Sequence, residues 1–96
     1  MSEDSLNKIA EGLINRFHVE LDKSDLTHFD FLNLSAPEVL YHKRVVAIHL
    51  AISSQEWLIF NLNSQAPTEF NFEGVLAHSH RIDDAESLLK VLRSKL

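Results

Sequence analysis

Apolar residues recur at helical spacing in the opening segment of the chain. Six of them lie three or four positions apart, which places them on one stripe of an α-helix: Leu6, Ile9, Ala10, Leu13, Ile14 and Phe17. The acidic residues Glu3 and Asp4 suit the positive end of the helix dipole. Gly12 falls off the stripe and indicates either mild weakness of the helix or close packing. This segment is predicted to be the N-terminal helix.

Helical spacing returns at the end of the chain. Asp83 is a candidate N-cap, with Glu86 three positions later, as in a capping box. Basic residues finish the segment, which matches the dipole of a helix. The pattern predicts a C-terminal helix beginning near Asp83, with a stripe of Ala85, Leu88, Leu89, Leu92 and Leu96.

The middle of the chain is dense in β-branched residues between positions 44 and 53. Alternation puts Val46, Ile48, Leu50 and Ile52 on one face of a strand and Val45, Ala47, His49 and Ala51 on the other. Because both faces are mostly apolar, we expect either an interior strand that the chain covers on each side or a strand that packs against a second chain on one side.

Two further strands are expected after this one. A polar turn at positions 53–56 leads into a strand from Trp57 to Leu62, and a third strand begins at Phe70 and bends at Gly74. A weaker strand is expected over 27–34. Between that strand and the one at 44–53, the Ser-x-x-Glu spacing of Ser35 and Glu38 predicts either a capping box that opens one or two helical turns, or a simple turn.

These elements together predict a single α+β domain spanning positions 1–96. Its order is an N-terminal helix, an antiparallel sheet of three to four strands and a C-terminal helix, with both helices packed on one face of the sheet. The other sheet face is then left to be covered by something outside the monomer.

Composition excludes several kinds of chemistry. Hydrophobic residues make up 45% of the chain and charged residues 24%, values typical of a globular domain. The chain has no cysteine, which removes disulfides, thiolate nucleophiles and cysteine-based metal sites. Val45 to Ile52, the longest apolar stretch, is far shorter than the roughly 20 residues of a membrane helix. With acidic residues in place of a basic leader, we expect a cytoplasmic protein without a membrane partner.

The net charge of −5 is distributed unevenly. Positions 41–96 carry equal numbers of acidic and basic residues, so the whole excess lies before position 41. No basic cluster compensates for it, and nucleic acid is therefore not expected as a partner. An acidic early region is instead predicted to face a protein partner, for which a basic surface would be complementary, through Glu20, Asp22, Asp25, Asp30 and Glu38.

The sharpest candidate for chemistry is the pair His78 and His80. On a strand the two imidazoles would point the same way and share a divalent metal, with His49 or Asp83 as a further ligand. The alternative is a pair of histidines at the edge of the core that bond to backbone groups. No nucleophile elbow or phosphate-binding loop accompanies them. We therefore assign no catalytic residue, cofactor or resident metal.

The leading hypothesis is a protein-interaction module that forms a homodimer through a sheet face or edge. The residues expected at that interface are Val45, Ala47, His49 and Trp57. One alternative is an inhibitor or immunity-like protein of a phage or mobile element that blocks a basic target surface. Another is a metal-dependent hydrolase that uses His78 and His80.

Overall fold

Three α-helices account for the secondary structure of the part of the chain that the computed structural model describes, residues 2–23, 35–67 and 71–96. They are α1 (Glu3–Lys23), α2 (Ala36–Ser64) and α3 (Phe72–Ser94). Within those ranges there is no strand, so the α+β prediction and its antiparallel sheet are wrong. The strand predicted over 27–34 lies outside the described residues.

Helix α1 confirms the predicted N-terminal helix. Leu6, Ala10 and Ile14 are buried, and the half-buried Leu13 and Phe17 pack against the same core. Five of the six predicted stripe residues therefore contact the core, as the spacing predicts, whereas Ile9 is 42% exposed.

Gly12 lies on the exposed side of α1. A Cβ atom built at this position would have nothing within 4 Å. Of the two interpretations offered by the sequence, close packing is therefore excluded. Gly12 is a local weakness of the helix.

Helix α2 begins at the capping box predicted around Ser35. The Glu38 backbone N–H donates to Ser35 Oγ at 3.4 Å, and the Ser35 hydroxyl donates to Glu38 Oε1 at 2.8 Å. Pro37 occupies the first turn, where its missing N–H costs no helical hydrogen bond. The cap opens a helix of 29 residues rather than the one or two turns expected from the sequence.

Burial along α2 follows helical rather than alternating spacing, so the strands predicted within this segment are wrong. β-branched residues cost a helix at most about 0.7 kcal/mol each relative to alanine, and burial of one apolar face outweighs that cost. The supposed turn at 53–56 is helical as well. The buried residues of α2 are Ala47, Ile48, Ala51, Ile52, Gln55 and Leu62.

Helix α3 begins well before the predicted start at Asp83. Asn71 is its N-cap, and its side-chain Oδ1 accepts a hydrogen bond from the Gly74 backbone N–H at 2.7 Å. Asp83 is an exposed residue in the middle of the helix and caps nothing. The segment after Asn71 that was predicted as the third strand is the first part of α3, whereas Phe70 lies outside the described residues.

The helices pack side by side in antiparallel order. Lys43 near the start of α2 contacts Asp22 near the end of α1, and Leu6 at the start of α1 shares a groove with Leu62 near the end of α2. The shared core is formed by Ala10, Ile14, Ala47, Ile48, Ala51, Ile52, Leu89 and Leu92.

Helices α1 and α3 are staggered along α2, which gives the molecule an elongated shape of 57 × 26 × 17 Å. Burial in α1 is confined to Leu6–Ile14 and burial in α3 to Ala85–Leu92. The end of α1 and the start of α3 thus extend beyond the three-helix core in opposite directions. Both helices pack on the inner side of α2, so neither covers its outer side.

Helix α2 is long and apolar enough, by length and composition, to cross a membrane. That finding differs from the expectation based on the short stretch from Val45 to Ile52. A single helix of this kind is weak support for a membrane span, because the core helix of a soluble protein passes the same test; a third of the apolar window is buried within the protein.

Candidate functional site: the outer face of helix α2

The outer face of α2 is the stripe of residues that points away from the core. Its members share one side of the helix, because each lies three, four or seven positions from another member, and this side is opposite the buried positions of the same helix. We define it as Val46, His49, Leu50, Ser53, Trp57 and Phe60.

Four of these side chains are large, apolar and exposed. The exposed fractions are 37% for Val46, 39% for Leu50, 65% for Trp57 and 59% for Phe60. Scattered apolar residues are ordinary on a protein surface, whereas a contiguous row on one helix face is typical of an interaction site.

The two aromatic residues of the outer face form a stacked pair. The ring centroids of Trp57 and Phe60 are 5.5 Å apart, and the ring planes are inclined by 18°. Each ring restricts the other's rotamers, so less side-chain entropy is lost when a partner covers this aromatic pair.

The outer face is also free of formal charge. Between Arg44 and Glu56, helix α2 contains no Lys, Arg, Asp or Glu. Glu56 lies beside the face and accepts a hydrogen bond from Arg93 of α3 at 3.3 Å. A partner at this surface would therefore meet apolar groups, a hydroxyl and an imidazole, and the carboxylate at its border, Glu56, is already paired with a cation of its own chain.

The helix places the four residues predicted for an oligomer interface on different sides. His49 and Trp57 lie on the outer face, and Val45 is half-buried beside it. Ala47 is fully buried in the three-helix core, where no second chain can reach it. The division has a simple cause: positions 45, 47 and 49 share one face of a strand but not of a helix.

The acidic residues predicted to face a partner contact groups of their own chain where the structure describes them. Asp22 accepts from Lys43 Nζ at 2.8 Å and lies 3.3 Å from His18 Nδ1. Glu20 pairs with Arg16 at 3.7 Å, and Glu38 takes part in the cap of α2. Asp25 and Asp30 lie outside the described residues.

Lys43 changes the titration of Asp22. Its hydrogen bond, aided by the positive charges of Lys43 and His18, holds the pKa of the Asp22 carboxyl below its ordinary value against a smaller desolvation effect. Asp22 is therefore a tether between α1 and α2 rather than a free acid that awaits a basic partner.

Glu11 connects all three parts of the bundle. It accepts from Arg44 of α2 at 3.0 and 3.4 Å, and its Oε1 lies 3.2 Å from Nζ of Lys95 just after α3. The hydrogen bond from Arg44 is the main reason why the pKa of Glu11 is lowered, and Lys95 adds to it against an opposing desolvation effect. This acid, too, has a structural role.

The histidine pair does not form the arrangement expected on a strand. His78 and His80 lie on helix α3, where residues two positions apart point in nearly opposite directions, roughly 200° apart. Across the described ranges, no group of three or more His, Cys, Asp or Glu side chains is placed to hold a metal ion. The proposal that His78 and His80 share a ligand therefore loses its geometric basis.

One groove of about 250 Å³ lies where the start of α1 meets α2 and α3. It is slightly smaller than the 300 Å³ lower bound of typical ligand pockets. The Gln55 amide in its wall already donates to the Ala85 carbonyl at 3.0 Å, so it is engaged within the fold. The remaining lining is Leu6, Ile9, Leu58, Leu62, Arg81, Asp84, Ala85 and Leu88.

No protein-family model, curated protein or solved structure matches this chain. The class that the described residues define is thus a staggered bundle of three α-helices, with an uncharged aromatic face on its central helix.

Proposed function

We propose that this protein is a small helical interaction module that forms a homodimer through the outer face of α2. One observation carries the proposal. The inner side of α2 is already buried by α1 and α3, yet the opposite side also presents a row of large apolar residues. A helix that is apolar on all sides needs a second covering, and in this protein the monomer supplies only the first.

A second copy fits this face better than a membrane surface does. Helices that lie on membranes carry Lys and Arg along their polar border, and these residues are attracted to anionic lipids. The outer face of α2 has neither residue, and the chain has a net charge of −5. An anionic lipid surface would therefore gain the apolar contact but repel the rest of the molecule, and no Lys or Arg on the face would offset that repulsion.

A second copy also fits better than a basic protein partner. Charge complementarity requires free acidic groups, whereas Asp22, Glu20 and Glu38 contact groups of their own chain. At an uncharged face, two identical acidic chains can meet without bringing their carboxylates together. Twofold symmetric dimers are also the commonest form of protein assembly.

The exposed area is consistent with a dimer of moderate affinity. From the exposed fractions of Val46, Leu50, Trp57 and Phe60, each copy offers roughly 350 Å² of apolar side-chain area. A standard interface of about 800 Å² per partner is a little over half apolar, so the face reaches the low end of that range. After the cost of association, we expect dissociation constants on the order of micromolar.

Sedimentation velocity over a concentration series tests the proposal. The chain of 11.0 kDa is expected to change from monomer to dimer as its concentration rises through the micromolar range. Trp57→Glu places a carboxylate beside Glu56 in the aromatic half of the face and is expected to weaken dimerisation at least tenfold, because the charge must be desolvated.

Phe72→Glu is the matched control. Phe72 is the more exposed aromatic residue, at 80%, but it lies on α3, and an acid is well tolerated in the first turn of a helix. This variant should dimerise like the wild type. A wild-type chain that stays monomeric up to several hundred micromolar, or a Trp57→Glu variant that is folded and fully dimeric, would refute the proposal.

A further inference from the structure

We propose that two copies pack α2 against α2 in antiparallel orientation and cross at Ser53. This inference rests on the proposed function and adds to it the orientation and register of the partner. It derives from the order in which large and small side chains follow one another along the outer face.

The outer face has a small side chain at its centre, and the side chains before the centre differ in type from those after it. Ser53 lies in the middle and is exposed. The half before it carries the aliphatic Val46 and Leu50, and the half after it carries the stacked aromatic pair Trp57 and Phe60. The face is therefore graded in size from one end to the other.

In an antiparallel pair, the larger side chains of one copy face the smaller side chains of the other. Val46 and Phe60 lie at equal distances along the chain from Ser53, and so do His49 and Trp57. If two helices run in opposite directions and cross at Ser53, each residue before the crossing faces its counterpart after it. Val46 then contacts Phe60 of the second copy, and His49 contacts Trp57 of the second copy. By the same count Leu50 faces Glu56 of the second copy, whose carboxylate accepts a hydrogen bond from Arg93 of its own α3.

Parallel pairing gives a poorer fit from the same residues. The two aromatic platforms would meet at one end and compete for space, while the shorter aliphatic pairs at the other end would leave a gap. Such crowding and voids both cost free energy. The hydroxymethyl side chain of Ser53 at the crossing point lets the two helix axes approach to the usual distance of about 8–10 Å.

The antiparallel arrangement is also closed. A twofold axis through the crossing uses the same face of both copies, so the outer face of each copy is covered by the other and is not open to a third chain. The assembly should stop at two copies.

Cysteine cross-linking on the full chain tests the register, and the protein suits it because the native sequence has no cysteine. Three single variants are needed: Ser53→Cys, Val46→Cys and Phe60→Cys. A disulfide forms only when the two Cα atoms come within about 7 Å. Asn7→Cys, at an exposed position on α1, is the control for random collision.

The antiparallel register predicts a specific pattern under mild oxidation. Ser53→Cys should give covalent dimers at least tenfold faster than Asn7→Cys. Val46→Cys and Phe60→Cys should each cross-link poorly alone and efficiently when mixed. Sedimentation before oxidation verifies that each variant remains dimeric.

Other patterns would overturn the inference, and they separate it from the proposed function. A dimer in which Val46→Cys links to itself, and does not link to Phe60→Cys, has parallel helices, which refutes the register but keeps the dimer. A dimer in which Ser53→Cys reacts no faster than Asn7→Cys uses another face. A monomeric wild type refutes both, as would a monomer that floats with lipid vesicles.

Discussion

At the scale of single residues, Glu11 has the largest number of described connections between helices. Its carboxylate contacts Arg44 and Lys95, and Arg44 is the main reason why its pKa lies below the ordinary value. A lowered pKa in the folded state stabilises the fold above the ordinary carboxyl range, and this stabilisation is lost as the pH falls through the folded pKa. Glu11 should therefore contribute to acid sensitivity.

Glu11→Gln tests this contribution. At pH 7 the variant should lose less than about 1 kcal/mol of unfolding free energy, because the group is partly exposed and screened. The difference should shrink as the pH falls below the ordinary carboxyl range and through the lowered pKa of folded Glu11. Urea denaturation across pH 3–7 measures both effects. Glu20→Gln, which removes an ion pair within α1, is the control, and an equal pH effect there would contradict the assignment.

Replacement of Gly12 is expected to stabilise the fold rather than weaken it. Because a Cβ atom there would meet nothing within 4 Å, alanine fits without strain. Gly12→Ala should raise the free energy of unfolding by roughly 0.5–1 kcal/mol, since glycine has the greater backbone entropy to lose in a helix. A thermal melt with a raised midpoint would confirm it. A lowered midpoint would show that the space is not open.

At the scale of elements, the sequence predicts some helices well and others not at all. Helix α1 is predictable because its apolar stripe is narrow and the opposite side is polar. Helix α2 is not, because it is apolar on both sides, and for such a run neither alternation nor helical spacing dominates. The informative signals were local: the cap at Ser35, and the absence of Gly and Pro from Glu38 to Ala66.

The candidate site was only partly predictable for the same reason. Trp57 and His49 were named as interface residues and do lie on the outer face, but Ala47 was assigned to the same surface through strand alternation. Once α2 is known to be a helix, spacing alone separates the inner positions from the outer ones. The missed members, Val46, Leu50, Ser53 and Phe60, then follow directly.

Small residues set the separation of α2 from its neighbours. Ala10, Ala47 and Ala51 are fully buried in the shared core and leave no room for longer side chains. Ala51→Leu should lower the free energy of unfolding by about 1–3 kcal/mol, because overpacking forces the helices apart. Ala77→Leu, at an exposed position of α3, is the matched control. Comparable losses in both variants would contradict this account.

At the scale of the whole molecule, the balance between apolar contact and net charge should govern association. Each copy carries a charge of −5, so two copies repel each other even though their contact faces are uncharged. The bundle itself is expected to be less sensitive to salt, because its core is apolar.

Salt should therefore strengthen the dimer. Raising the ionic strength from about 0.01 M to 0.15 M shortens the screening length from about 30 Å to about 8 Å and reduces the repulsion. We expect the dissociation constant measured by sedimentation to fall severalfold over this range. A dimer that weakens with added salt would point instead to ion pairs across the interface, and thus to a different contact face.

Trp57 has one more consequence, because it is the chain's single tryptophan and it lies on the outer face. Its indole is the natural fluorophore of the protein, and in the proposed dimer it would exchange solvent for the second chain. Emission should move to shorter wavelength as that exchange proceeds. The molecule thus carries an intrinsic optical reporter of its own association, with no label needed.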